Sequence, residues 1–208
     1  NKTQSISKNT QLASLGIFSM DCKKIYSHSS VEIDFQKTYF ESLKPKIYGA
    51  LALLDSWEFN QKGLIYTPLG GNWADEYVCS GYTLYDNVLR YWALKAAADI
   101  FEDTELAENA HKTKTLILNN FSHNELGEKY HPVAFEEKLK DKKPYFSCSF
   151  SSNGYDQRWD MAGNALAILL NINEDIDEIN KYLFCNNSKS GCALASVILV
   201  LLILTAFP

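Results

Sequence analysis

The sequence predicts an all-α protein, built of consecutive helical hairpins with its long loops gathered at one end. Three observations carry that expectation. Apolar residues recur at three- and four-residue steps in four separate segments, the spacing of one helix face. No alternation of strand and helix patterns is present, which argues against a doubly wound parallel sheet. Two loops rich in Gly, aromatic and acidic residues, 62–85 and 147–164, interrupt the helical segments.

Residues 1–30 are rich in Ser, Lys, Asn and Thr and read as an irregular N-terminal segment. The chain opens on Asn1, as a processed chain or a fragment does. A first helix is expected from about residue 33 to 56, because Phe40, Leu43, Ile47, Ala50, Leu54 and Trp57 fall on one side. Pro45 should kink or restart it, since proline lacks the backbone donor and crowds the preceding turn.

A second helix, 84–101, carries one stripe at Leu84, Val88, Tyr91, Leu94, Ala98 and Phe101. Leu89, Trp92 and Ala96 add another, so the helix is apolar nearly all round and should be buried. Asp103 or Thr104 caps a third helix, with Leu106, Ala110, Thr113, Ile117 and Phe121 on one face. Residues 122–157 read as loop with a short strand at 145–150. A fourth helix is expected over 160–170 and a shorter fifth over 174–184.

The last 17 residues, 192–208, carry no charge. They read as a buried helix, a C-terminal membrane anchor, a lipid-anchor signal, or an end altered by truncation or a frame change. The chain therefore divides into 1–30, a helical domain over 31–185, and an apolar tail over 186–208.

Composition narrows the function. Net charge is -5 and the two arginines, Arg90 and Arg158, form no basic stripe, so nucleic acid is not an expected partner. Five scattered cysteines without a CxxC pair read as reduced, mostly buried thiols rather than a disulfide framework or a zinc site. Four histidines lack metal-ligand spacing, and no phosphate or dinucleotide fingerprint is present, so neither metal nor cofactor is expected. The sequons at 120–122 and 186–188 are of a kind that arises by chance in an Asn-rich chain.

The chemistry-bearing residues lie in the two loops. In the first, Asp75 and Glu76 stand beside Trp73 and Tyr77. A carboxylic acid against apolar rings is desolvated and its pKa rises, as a general acid for glycoside cleavage requires. The plainer alternative is that one acid caps a turn while Trp73 fills the core. In the second loop, Asp160 is a natural N-cap for the helix that follows Arg158 and Trp159. Arg158 is placed either to pair with an acid or to hold a substrate hydroxyl. Asn87 and Asn164, near the starts of apolar helices, must find backbone or ligand partners for their amides.

The run "GLIYTPLGGNWADEYVCSGYTLYDNVLRYWALKAAADI", followed by "RWDMAGNALAILLNI", resembles the six-hairpin glycosidases. These are (α/α)6-barrel enzymes that include the glycogen-debranching amylo-α-1,6-glucosidases. The shared order is a Gly-Leu turn at Gly63-Leu64, an acidic loop from Asn72 to Asp75, a helix from Tyr85 to Leu94, and a second helix from Trp159 to Ile168. The resemblance implies an (α/α) toroid and makes Asp75 the general acid. It makes Trp73 a pocket aromatic, and it gives Tyr85 and Asn87 positions that pack or line the sugar pocket. Glu76, Tyr77, Arg158, Trp159 and Asp160 complete the expected substrate-binding set. Asn72 stands where several relatives have Asp, so any second acidic contact from that position is lost.

A closed ring of six hairpins needs roughly 300 residues or more at ordinary helix lengths. The chain is thus expected to be an incomplete barrel. Its catalytic base is not recognisable over 174–208, where Asp175, Asp177 and Glu178 read as a solvated face. The implied activity is inverting hydrolysis of α-glucosidic bonds in an oligo- or polysaccharide. The alternatives are a non-catalytic carbohydrate-binding or interaction fragment and a glycoside phosphorylase. An incomplete barrel would also expose apolar faces and self-associate or take a partner.

Overall fold

The computed structural model describes residues 30–72 and 79–173, with the side chains of its first eight residues left out. Within them the chain is mostly helical and carries a small three-stranded antiparallel sheet. The order is α1 (Ser30–Asp55), β1 (Tyr82–Thr83), α2 (Leu84–Phe101), α3 (Thr104–Phe121), α4 (Pro132–Leu139), β2 (Ser147–Ser151), β3 (Gly154–Trp159) and α5 (Met161–Leu169). The expected fifth helix and the apolar tail lie outside the described residues, as does the N-terminal segment 1–29.

α1 runs unbroken through Pro45, so the expected restart does not occur. Pro45 sits on the exposed side, and so does Glu41, whose carbonyl loses its helical donor to the proline. Water can bond that carbonyl there. The inner side buries Phe40, Ile47, Leu51 and Leu54. α2 is the central element: 13 of its 18 residues are buried, and it packs against α1, α3, α5 and the sheet. An apolar surface on all sides dictates that position.

α2 stops at Glu102, whose left-handed backbone (φ 52) returns its N–H to Ala98 O. Asp103 then caps α3 by accepting from Leu106 N at 3.0 Å, one of the two caps the sequence offered. Tyr48 of α1 donates its hydroxyl to the same Asp103 carboxylate. One side chain thus starts α3 and holds α1 to the turn. Leu106, Ala110, Thr113, Ile117 and Phe121 form the buried face of α3, at the expected spacing.

The stretch 122–157, expected to be loop with a short strand at 145–150, contains α4, β2 where that strand was expected, and most of β3. α4 is only two turns long, with Pro132 at its start, where a missing N–H is harmless. Its Lys138 is 2% exposed and donates to the last carbonyls of α3, Phe121 O at 2.8 Å and Ser122 O. In the sheet, β2 pairs with β1 through Tyr82↔Phe150 and Thr83↔Ser149, and with β3 through Phe150↔Tyr155 and Ser151↔Gly154. Phe150 is the hub of an aromatic cluster, with ring centroids 4.9 Å from Tyr82, 5.0 Å from Phe121 and 5.1 Å from Tyr155. Gly81 (φ +96) lets the chain pass close to it, because a Cβ there would stand 2.4 Å from Phe150 O.

Three buried asparagines repeat one device. Asn87 in α2 accepts from Ile65 N at 2.9 Å and donates to Ile65 O at 3.2 Å and to Thr83 O at 2.8 Å. Asn164 in α5 does the same with Phe146 N, Phe146 O and Asp160 O. Asn120 in α3 accepts from Tyr130 N at 2.9 Å and donates to Leu116 O at 3.0 Å. Each pins an extended segment to a helix where no strand can complete the backbone bonds. Asn120 is 0% exposed, so the sequon it heads is closed to a glycosyl transferase in the folded chain.

Candidate functional site

Among the described residues, the site candidates gather at the shared starting end of α2 and α5. The two helices pack together, and Gly163 in the first turn of α5 lies so near Leu84, the first residue of α2, that a Cβ would meet its Cδ2 at 3.0 Å. β1 leads into α2 and β3 leads into α5, so the sheet delivers both helices to one place.

Two carboxylates mark that end. Asp86, in the first turn of α2, is 2% exposed. Its Oδ2 accepts from Thr83 Oγ1 at 2.6 Å, Thr67 Oγ1 at 2.7 Å and Asn72 Nδ2 at 3.2 Å. Burial pushes its carboxyl up, and these donors pull in the opposite direction. Asp160 caps α5 by accepting from Gly163 N at 2.9 Å. Burial, opposed by that N–H and aided by the nearby Asp86 charge, raises its carboxyl to about 6. Tyr85 is half-buried beside both acids, and burial followed by their charges pushes its phenol up to about 12.

Arg158 is exposed and clasps Asp156 on its own strand, with Nε 3.0 and 2.8 Å from the two carboxylate oxygens. Burial pushes Asp156 upward, but bonding to Arg158 prevails and holds its carboxyl low. Trp159 is half-buried with its ring edge-on to Tyr145 at 4.9 Å. Asn87 is 0% exposed and spends its amide on backbone groups.

The structure thus brings Tyr85, Asp160 and Trp159 to one end and keeps Asn87 beneath it. Trp73, Asp75, Glu76 and Tyr77 lie outside the described residues. The last described residue before them, Asn72, is bonded to Asp86, and the first after them, Cys79, touches Cys148. Among the described residues no group of three or more His, Cys, Asp or Glu could hold a metal ion.

Asp86 and Asp156 are acids at this end that sequence reasoning missed. A signal for Asp86 was present in the Thr83-x-x-Asp86 spacing, which is that of a capping box. The box is used differently here, since Thr83 makes no side-chain cap bond and instead donates to Asp86. Asp156 had no signal, because its setting depends on the pairing of β3 with β2.

Chemically, a half-buried carboxyl at about 6 exchanges its proton near neutral pH and serves as a donor, an acceptor or a proton relay. Compared with protein-family models, with curated proteins and with solved structures, the chain matches none.

Proposed function

We propose that the chain is a glycoside hydrolase, or part of one, of the six-hairpin type, inverting and acting on α-glucosidic bonds. The described helices would form an arc of an (α/α)6 toroid, with α2 and α5 as neighbouring inner helices. One observation carries this reading. The separate motif segments, far apart in sequence, end at one place: Asn72 is tied to Asp86, and Asp160 opens α5 beside Leu84 and Tyr85.

Asp75, three residues beyond Asn72, is the general acid that protonates the leaving glycosidic oxygen. Trp73, Tyr77, Tyr85 and Trp159 supply ring faces for the C–H side of a sugar. Glu76, Arg158 and Asp160 supply partners for its hydroxyls. Asn87 acts from below, by fixing the segment through Ile65 that leads to the acidic loop. Water attacks the anomeric carbon from the opposite face, activated by a second carboxylate about 6.5–9.5 Å from the first.

The test is turnover of α-1,4- and α-1,6-linked glucose oligosaccharides by the full natural chain and its Asp75→Asn variant. Turnover should fall by about 100-fold or more in the variant, with circular dichroism and melting temperature unchanged. Equal turnover would overturn the assignment. Product formation that requires inorganic phosphate would move it to a phosphorylase, and oligosaccharide binding without turnover to a carbohydrate-binding module. Exposed apolar residues on α1, Tyr39 and Leu53, suit an arc that associates with itself, which sedimentation velocity would show as dimers.

A further inference from the structure

Cys79 and Cys148 stand 69 positions apart in sequence, yet their sulfurs are 3.5 Å apart and both are free thiols. Cys79 lies just before Gly81 and β1, and Cys148 lies within β2. The contact is made by side chains off the ladder, since the register that pairs Tyr82 with Phe150 and Thr83 with Ser149 runs toward Leu84, not Cys79, at Cys148. Joining the sulfurs needs a closing movement of about 1.5 Å, to the bond length near 2.05 Å. β2 can absorb that movement, because its register with β3 shifts between Ser147 and Ser149, where Cys148 sits.

We propose that Cys79 and Cys148 are a redox modification site, a dithiol that low-molecular-weight disulfides of the glutathione class convert reversibly to a disulfide. The reaction balances in two exchanges. A thiolate of the pair attacks one sulfur of glutathione disulfide and expels one glutathione thiolate. The remaining cysteine, losing its proton, attacks the protein sulfur of that mixed disulfide and expels the second. Two electrons and two protons leave the protein, and one glutathione disulfide becomes two glutathione thiols.

The surroundings favour the first step. The two thiols share a hydrogen bond, and this contact lowers the Cys79 thiol below its ordinary value despite burial and the charges of Asp156 and Asp160. The same bond, with burial, raises Cys148. When Cys79 gives up its proton, the neighbouring Cys148 S–H stabilises the thiolate, which is the nucleophile of the first exchange. Cys148 is half-buried rather than enclosed, so a small disulfide has a route to the pair. The consequence is mechanical: oxidation staples the approach to α2 onto β2 and closes a long loop.

The full chain is equilibrated in glutathione buffers of graded oxidised-to-reduced ratio, quenched with acid, and mapped by peptide mass spectrometry. The expected result is a linked Cys79–Cys148 peptide, two hydrogens lighter than the sum of its parts, appearing in one two-electron transition. The melting temperature should rise by about 5–15 °C with the same transition. Cys79→Ser and Cys148→Ser should each abolish the linked peptide and leave a single glutathione adduct on the remaining thiol. Separate adducts on both cysteines of the wild-type chain would overturn the proposal. So would linkage of either to Cys22, Cys185 or Cys192. The wild-type map decides the matter even if a serine variant fails to fold.

Discussion

Replacing Asn87 with Leu tests the idea that buried amides, rather than strands, hold the loops to the helices. Leucine matches asparagine in length and outline, so the change removes hydrogen bonds with little change of volume. In the wild-type chain the Asn87 amide accepts from Ile65 N and donates to Ile65 O, and Ile65 is 2% exposed. Water cannot replace the lost partner at that burial. Thr83 O, the third partner, is also the acceptor position for the first backbone bond of α2 and is not orphaned.

Two buried backbone groups are thus left unsatisfied, at about 1–3 kcal/mol each. The expected destabilisation is about 4 kcal/mol, against a total stability of about 5–15 kcal/mol for an ordinary domain. In a chain of this size that lowers the melting temperature by about 8–16 °C. Urea unfolding followed by circular dichroism should show a lower midpoint with an unchanged slope. Asn164→Leu, which orphans Phe146 N and O by the same geometry, should behave alike. Asn153→Ala, on an exposed turn, should stay within about 0.5 kcal/mol of wild type. An Asn87→Leu variant within 1 kcal/mol of wild type would mean instead that the segment around Ile65 is held by packing alone.

Other expectations follow from single groups. His123 accepts from Lys143 N, and burial with Lys138 and Lys142 nearby lowers it from 6.5 to about 4. Its folded pKa is depressed, so its contribution is present above pH ~6.5 and is lost as pH falls toward 4. His123→Gln should flatten the stability profile in that window. Asp160 has the opposite sign: its folded pKa, about 6, lies above the ordinary 3.8, so its contribution is present at low pH and is lost as pH rises through 6. Asp160→Asn, which preserves a capping side chain, should remove that slope and leave α5 folded. Gly81→Ala should cost about 2–4 kcal/mol, because alanine resists φ +96 and its Cβ collides with Phe150 O. Thermal melting of the purified variant checks it. Phe121→Ala, at 0% exposure against Phe150, should cost about 3–5 kcal/mol by urea unfolding.

The helices α1, α2 and α3 were legible from spacing, and α5 from its nearly unbroken apolar run. Hydrophobic periodicity is a local consequence of having one buried side, and the first three have enough turns to display it. The all-round apolarity of α2 even forecast its central place. Asp103 was legible as one of two candidate caps, since a cap bond spans three residues. The course of α1 through Pro45 was not. Proline's intrinsic penalty is local, but whether it breaks a helix depends on what that side faces, and here it faces solvent.

α4, β1 and β3 escaped for a different reason, although a strand was expected at 145–150, where β2 (Ser147–Ser151) forms. β1 has two residues, and β3 lacks clean alternation, because half-buried positions fill it. Such strands exist through their pairing with one another, and pairing is set by register across the whole hairpin. Asp86 and Asp160, 74 positions apart by number, come within electrostatic reach of each other only through the packing of α2 on α5. Which segments coil, and which faces they bury, follows from the order of neighbouring residues. Long-range packing is what sets α2 and α5 side by side at their starts, turns three asparagines toward distant backbone, and brings Cys79 to Cys148. Each is a contact between distant segments, and the packing of the whole chain sets its distance.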